Sequence, residues 1–356
     1  MSSIWSLDTY GDPLGKVRDF IRTIWLEFGL DVMLVTLDGG IEPRATPQFI
    51  TDPASIDSAN PFKPLMEINA ARLIPEFIRT HPGQKLAALL RPCELRALIE
   101  MTRHASIKTN DLLTISVDCL GTLPADEYHW RLERMGKNES ADGSTIENSN
   151  DPLTHEALKF AHQGGIVPYR YRSACQVCPS PVAESAKINI QIFGLPVRQK
   201  MMVVINDPEL ERFLRPEILF NGEAAGVLVL QHERVVSKLL ERHQRTMQRI
   251  NEGLGEMLPA DVDAFINQLE SCGNCQSCMQ VCPICSLDRP GRSSDGHYNR
   301  LDVIRWLVSC AGCGMCEQAC PTHLPLYTIF AHIRHQLDQE WEYVPGQSME
   351  EPSQTI

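Results

Sequence analysis

Eight cysteines in the last third of this 356-residue sequence have the spacing that is most informative about chemistry. They form two runs with the same pattern, CxxCxxCxxxCP, and a proline closes each run. Residues 271–283 read SCGNCQSCMQVCP and residues 309–321 read SCAGCGMCEQACP. Thiolates are soft ligands that favour iron and zinc. The two runs therefore predict metal binding.

The repeated pattern is the spacing used by bacterial ferredoxins with two [4Fe–4S] clusters, in which the fourth cysteine of each run binds the other cluster. This crossover predicts two clusters side by side. The predicted ligands are Cys272, Cys275, Cys278 and Cys320 for one cluster, and Cys310, Cys313, Cys316 and Cys282 for the other. Zinc sites fit less well because their CxxC pairs are separated by longer gaps. Disulfides also fit less well, since a chain of this length needs no covalent staples.

Five further cysteines remain outside the two runs. Cys93 follows the strand-like run LAALL, and Cys119 ends the run LLTISVD; the carboxyl ends of parallel strands meet at one edge of a sheet. Cys175 and Cys178 form a CxxC pair in a turn. The four thiols predict a third four-thiolate site, although ordinary buried thiols have the same pattern. Cys285 is left over, and we interpret it as a small buried residue, with a substitute ligand or a redox-sensitive thiol as the alternatives.

The elements that would position these thiols follow from hydrophobic periodicity. Alternating helical and strand-like patterns over residues 1–206 predict an α/β domain. Strands are predicted at 31–37, 86–90, 112–118, 188–195 and 201–206, and helices at 17–28, 92–104, 232–250 and 261–270. The polar run at 133–150 is expected to be an exposed loop or insertion.

The predicted organisation is an α/β domain at 1–206 followed by a mainly helical, ferredoxin-like dicluster domain at 266–345. The α/β domain would hold the third cluster and, by the family resemblance described below, a possible flavin site. A helical connector is predicted at 207–265. Residues 346–356 are predicted to form a disordered tail.

Composition and motifs exclude several functions. Acidic residues outnumber basic ones, 45 to 33, so nucleic acid is not an expected partner. The sequence has no export leader and no apolar run long enough to span a membrane, which predicts a cytoplasmic protein that meets membranes only through partners. There is no GxGxxG or GxxxxGK[ST] motif, so a flavin would be held by other means.

Three arginines flank the predicted third site: Arg91, Arg170 and Arg172. They are candidates to balance the negative charge of a cluster or to contact the pyrophosphate of the flavin that the family resemblance described below implies, with surface ion pairs as the alternative. His243 is expected to be a satisfied core or interface histidine. Trp306 is expected to pack around a cluster.

Three segments resemble the β-subunit family of coenzyme F420-reducing hydrogenases and F420-dependent formate dehydrogenases. They are LLRPCELRAL, SVDCLGT and YRYRSACQVCPSPVAESAKINIQIFGLP, within residues 86–206. The resemblance implies FAD and a [4Fe–4S] cluster in this domain, with Cys93, Cys119, Cys175 and Cys178 as the cluster ligands. In that family the ferredoxin runs typically precede this domain, whereas here they follow it. The chain is also similar to iron–sulfur subunits of sulfhydrogenases and anaerobic sulfite reductases.

These features predict an iron–sulfur electron-transfer subunit of a cytoplasmic, anaerobic oxidoreductase of the formate dehydrogenase, hydrogenase or heterodisulfide reductase type. Its partners would be a catalytic redox subunit and further electron-transfer subunits. One alternative is a flavoenzyme subunit that exchanges hydride between FAD and coenzyme F420 or a nicotinamide. The other is a structural adaptor whose clusters are redox-silent.

Overall fold

A seven-stranded mixed sheet organises the amino-terminal part of the chain. The computed structural model describes residues 3–38, 45–105, 107, 109, 111–139, 151–165, 170–272, 275–341 and 346. The strands are β1 (Ser3–Asp8), β2 (Val32–Asp38), β3 (Ala45–Ile50), β4 (Leu86–Leu90), β5 (Leu112–Val117), β6 (Ile188–Gln191) and β7 (Lys200–Ile205). Their order across the sheet is β1-β7-β6-β5-β4-β2-β3.

The middle of the sheet is parallel and its edges are antiparallel. Strands β2, β4, β5 and β6 run parallel to their neighbours, whereas β3, β7 and β1 are antiparallel additions. The five predicted strands correspond to β2 and β4 to β7. Strands β1 and β3 were not predicted. Both are edge strands, and β3 contains Pro47, which an edge tolerates because no ladder hydrogen bond is lost there.

Both faces of the sheet are covered. Along β2, Met33 and Val35 belong to one apolar cluster, whereas Val32 and Leu34 belong to another on the opposite face. Side chains alternate between faces along a strand, so a central strand with apolar residues at every position must be buried on both sides.

Helices cover the sheet and form most of the carboxyl-terminal half of the chain. They are α1 (Pro13–Phe28), α2 (Ile74–Thr80), α3 (Pro92–Ala105), α4 (Ala125–Glu139), α5 (Pro152–Lys159), α6 (Ser173–Gln176), α7 (Pro208–Leu214), α8 (Pro216–Leu219), α9 (Gly226–Leu254), α10 (Val262–Ser271), α11 (Ser277–Val281), α12 (Arg300–Val308), α13 (Met315–Gln318) and α14 (Leu326–Trp341). The predicted helices lie within α1, α3 and α9 or coincide with α10 to within one residue. No helix of the described residues has the length and hydropathy needed to cross a membrane.

The polar run at 133–150 was wrongly predicted to be loop from its first residue, because α4 continues to Glu139. An exposed helix can form with few apolar residues when its own residues have high helix propensity, as Glu133, Arg134 and Met135 do. Residues 140–150 lie outside the described residues.

The sheet and the cysteine-rich helices share one core. The apolar cluster that contains Leu34 and Leu98 also contains Phe265, Trp306 and Phe330. The Trp306 and Phe330 rings meet edge to face, with centroids 4.7 Å apart. The predicted α/β and dicluster domains therefore pack through a continuous apolar contact.

The predicted tail begins with a residue that the structure describes. The Gly346 amide is buried and donates a hydrogen bond of 2.7 Å to Glu100 Oε1 on α3. Residues 347–356 lie outside the described residues.

Candidate metal centre

The first cysteine group consists of Cys272, Cys275, Cys278 and Cys320. All four line one cavity of about 110 Å³ between α10, α11 and the end of α13. Three of them come from the first run and Cys320 comes from the second, as the crossover spacing predicts. Cys272 and Cys275 are exposed to solvent, whereas Cys320 is buried.

The second cysteine group consists of Cys310, Cys313, Cys316 and Cys282. Cys282 lies close enough to influence the ionisation of the other three thiols, so the first run supplies one residue to the second group. Cys313 and Cys316 are buried. Burial raises the pKa of Cys313 to about 12. The site thus needs positive charge, from a metal or from the protein, to keep its sulfurs ionised.

Two donors converge on Cys282. The Trp306 indole Nε1–H lies 3.4 Å from Cys282 Sγ. A hydrogen bond from Cys285 is the main reason that the pKa of Cys282 falls to about 6. The same bond raises the pKa of Cys285, which keeps that thiol protonated and able to donate. Trp306 therefore does more than pack around the site, and Cys285 is a neighbour of the second group.

The third cysteine group consists of Cys93, Cys119, Cys175 and Cys178. These four line a cavity of about 40 Å³. The parallel register pairs Leu90 on β4 with Ser116 on β5, so Cys93 and Cys119 follow two neighbouring strand ends. Helix α6 and the turn after it bring the CxxC pair to the same edge of the sheet.

The three groups follow one another through the protein. Cys278 of the first group influences the ionisation of Cys316 in the second. Cys313 of the second group lines the cavity of the third. Gly314 has a φ of +68°, and a Cβ there would lie 2.4 Å from the Ala174 Cβ. The second cysteine run thus packs directly against the CxxC turn, which only glycine permits.

Arg172 lies against the third group. Its Nη2 atom is 3.8 Å from Cys175 Sγ, and its Nε atom donates to Thr122 Oγ1 at 2.7 Å. Burial raises the pKa of the Cys175 thiol, but the Arg172 charge and hydrogen bonding with Thr122 outweigh burial, so the pKa lies below its ordinary value. The contact is the one expected of a residue that balances thiolate charge.

Arg96 is a second guanidinium at this site, and the sequence reasoning missed it. Its Nη2 atom lies 3.9 Å from Cys178 Sγ, and its Nε and Nη1 atoms donate to the carbonyls of Ala311 and Ser180. The available signal was its position on α3, three residues after Cys93 and so on the same helix face. Arg96 joins the third group to the loop that precedes Cys313.

The other two predicted arginines have different partners. The Arg91 guanidinium is buried and donates to the carbonyls of Lys63 and Leu65, at 2.6 Å and 2.9 Å. Arg170 pairs with Glu127 at 2.9 Å, and its side chain is 39% exposed. Arg170 thus forms the surface ion pair that was the alternative interpretation.

Helix α9 closes the third group from outside. His232 Nε2 lies 3.0 Å from Asp118 Oδ2, beside Cys119. His243 Nδ1 lies 2.7 Å from the Cys178 carbonyl oxygen, which can only accept, so Nδ1 carries the proton. His243 is buried, as expected for a satisfied interface histidine.

A groove of about 620 Å³ lies between α9 and α14 and reaches Cys178. Its walls include His243, Met247, Asn251 and Tyr327. The Asn251 Oδ1 atom is buried and accepts no hydrogen bond from any residue that the structure describes. The groove has the size of a small-molecule or cofactor site.

Ligand geometry was also compared with that of a single metal ion. All 13 cysteines are free thiols. Across the described residues, no three or more His, Cys, Asp or Glu side chains converge as the ligands of one ion must. A [4Fe–4S] cluster spreads its four thiolates over four irons, so its ligands need not converge in this way.

The fold and the thiols define a cysteine-rich protein with a mixed α/β sheet, and a curated protein is similar to part of its sequence. The chain is 23% identical over 221 residues to the F420-dependent formate dehydrogenase 1 subunit beta of Methanococcus maripaludis. The match covers 56% of this chain and 54% of the relative, so the chain spans about half the length of that curated protein. This homology supports the resemblance to the β-subunit family.

The structure is also similar to a chain of the F420-reducing [NiFe] hydrogenase complex from Methanosarcina barkeri, determined with xenon. The TM-score is 0.49 at 14% identity, over 70% of this chain and 91% of the other. No family model matches the sequence.

Proposed function

We propose that this chain is an iron–sulfur electron-transfer subunit of a multi-subunit oxidoreductase of the formate dehydrogenase or hydrogenase type. The observation that carries the proposal is that twelve of the 13 cysteines fall into three adjacent groups of four. Each group has the donor number and type that a [4Fe–4S] cluster requires. The homology to a formate dehydrogenase β-subunit supports the same class of complex.

Clusters at these sites would accept and release single electrons without making bonds. The chain's own residues hold the thiolates, exclude water and supply the surrounding charge. The cysteines of the second and third groups are buried or half-buried, whereas Cys272 and Cys275 are exposed. The first group is therefore the end of the series that a partner's redox centre can approach most closely.

A second candidate function is a flavin-containing subunit that exchanges hydride with F420 or a nicotinamide. The groove between α9 and α14 favours it, because a planar cofactor there would lie next to Cys178. The buried, unpaired Asn251 Oδ1 would accept a hydrogen bond from such a ligand. Electrons could then be divided between a two-electron carrier and the third cluster.

Cofactor content tests both candidates. Protein purified without oxygen should contain about twelve irons and a matching amount of acid-labile sulfide per chain. A content of about eight irons would contradict the third cluster, and a content of about four would contradict the pair of clusters at the two cysteine runs. Stoichiometric FAD would favour the flavin-containing subunit over a subunit that only relays electrons. If the clusters stay oxidised while the catalytic partner is chemically reduced, the chain acts as a structural adaptor and not as an electron relay.

A further inference from the structure

Two buried arginines lie between the second and third cysteine groups without a carboxylate partner. Arg96 is 9% exposed and Arg172 is 7% exposed. Their hydrogen bonds go to carbonyl, hydroxyl, amide and sulfur atoms, and among the described residues neither forms an ion pair with Asp or Glu. The neighbours that raise their pKa most are cysteines: Cys178 and Cys93 for Arg96, and Cys175 and Cys93 for Arg172.

Two other arginines with shielded side chains have carboxylate partners, whereas the buried Arg91 guanidinium donates to the carbonyls of Lys63 and Leu65 and contacts no cysteine sulfur among the described residues. Arg18 pairs with Asp38 at 3.7 Å, and Arg103 pairs with Glu100 at 3.2 Å. This is the ordinary requirement, because a buried charge without a counter-ion is strongly destabilising. Arg96 and Arg172 therefore need a negative group nearby, and the sulfurs of the third cysteine group are in the right place to provide it.

The placement is specific to the third group. Within the described part of the chain, guanidinium contacts to cysteine sulfur join Arg96 to Cys178 and Arg172 to Cys175. Arg334, beside the second group, instead donates to the Cys310 carbonyl at 3.0 Å. The first group has exposed cysteines, and solvent can screen its charge.

We infer that Arg96 and Arg172 are the counter-ions of a negatively charged metal–thiolate cluster at the third cysteine group, and that they make this group the electron-accepting end of the series. The inference rests on the proposed function. Reduction transfers one electron from the reduced centre of a partner and adds one negative charge to the site, with no bond or proton changed. Two fixed positive charges stabilise that reduced state more than the oxidised one, so they raise the reduction potential.

The test is a dithionite titration of the whole chain, purified without oxygen and followed by electron paramagnetic resonance. The variants are Arg96→Gln and Arg172→Gln, with Arg96→Lys and Arg172→Lys to restore the charge. Each glutamine variant should shift the one-electron reduction equilibrium of one cluster about tenfold toward the oxidised state, ~59 mV. The lysine variants should recover most of this shift. Arg170→Gln is the matched control, because its partner is Glu127, and it should leave every potential unchanged.

Iron analysis separates the outcomes. About eight irons in the unsubstituted protein would contradict the proposed third cluster itself. With about twelve irons present, an unchanged potential in both glutamine variants would refute the role of the arginines. Loss of one cluster from the glutamine variants but not from the lysine variants would support the counter-ion role. Loss from both would show that shape, and not charge, is what these side chains supply.

Discussion

At the scale of single residues, the environment of Cys282 differs from that of the other thiols in the two ferredoxin-type runs. It receives hydrogen bonds from the Trp306 indole and from the Cys285 thiol. Hydrogen bonds to a ligand sulfur withdraw electron density, stabilise the reduced cluster and raise its potential. Neither Trp306 nor Cys285 is itself a predicted cluster ligand.

The first prediction concerns Trp306→Phe, which removes the indole N–H and keeps an aromatic ring in the core. We expect the reduction potential of the second-group cluster to fall while the iron content stays the same, because only a donor to Cys282 is lost. A redox titration followed by electron paramagnetic resonance measures this. Trp5→Phe is the matched control, since the Trp5 indole N–H donates to Glu211 Oε1 at 3.1 Å. Equal shifts in the two variants would contradict the prediction.

The second prediction concerns Cys285→Ala. Because Cys285 belongs to none of the three groups, we expect unchanged iron and sulfide content. Loss of its hydrogen bond should raise the pKa of Cys282, which is now about 6, and lower the potential of the second-group cluster. Cys282→Ala is the comparison and should lose that cluster. If Cys285→Ala lost iron while Cys282→Ala kept it, Cys285 would be the ligand and the assignment of Cys282 would be wrong.

At the scale of elements, Asp118 joins β5, the loop after β6 and helix α9. Its Oδ2 atom accepts hydrogen bonds from the Ile192 and Phe193 amides, at 2.8 Å and 3.1 Å, and lies 3.0 Å from His232 Nε2. Because Cys119 is the next residue, the same carboxylate that anchors α9 also fixes the position of one thiol.

The third prediction therefore concerns Asp118→Ala. We expect a loss of roughly 1–3 kcal/mol in the free energy of unfolding for each buried donor left unsatisfied. Iron should also be lost preferentially from the third group. Thermal unfolding and iron analysis measure the two effects. Asp207→Ala is a matched control, because Asp207 caps the exposed start of α7 and should cost about 1 kcal/mol without loss of iron. Full iron retention in Asp118→Ala would contradict a role of Asp118 in positioning the Cys119 thiol and leave only its role in anchoring α9.

At the scale of the whole molecule, the three cysteine groups form a series in which the first group has exposed cysteines and the other two have buried or half-buried ones. The sheet supplies two strand ends to the third group. The carboxyl-terminal helices pack on the face of the sheet that carries Leu34, and this packing brings Cys313 of the second group beside the third. The shared core fixes the order of the groups, because the runs cannot move relative to the sheet without opening it.

The fourth prediction follows from this exposure gradient. On treatment with a chelator and an oxidant, the first group should lose its iron first, since Cys272 and Cys275 are exposed. The expected course is an early release of about four irons and slower release of the remainder. Iron release and the loss of individual paramagnetic signals measure the order. Cys275→Ser should remove the early phase. Earliest loss from the third group would contradict the gradient.

Much of the fold could be predicted because its signals are local. Buried strands β4 and β5 read as short apolar runs, and Asp12 and Gly29 mark the two ends of α1. Edge strand β1 was missed because its pairing partner, β7, lies nearly 200 positions along the chain. Edge strand β3 pairs with the neighbouring β2, but its sequence, ATPQFI, contains a proline and has no continuous apolar run. The end of α4 was misjudged because polarity alone does not distinguish an exposed helix from a loop.

The sequence by itself determined the chemistry of this protein, since the identity and spacing of its thiols specify four-thiolate groups and the crossover between two runs. Ligand spacing within a run is a covalent property that folding cannot change. Only the tertiary structure decided what surrounds each group: Arg96 beside Cys178, Cys285 and Trp306 beside Cys282, and the second group against the third. Those neighbours are set by long-range packing, and the charges and hydrogen bonds they bring are what distinguish one cysteine group from the next.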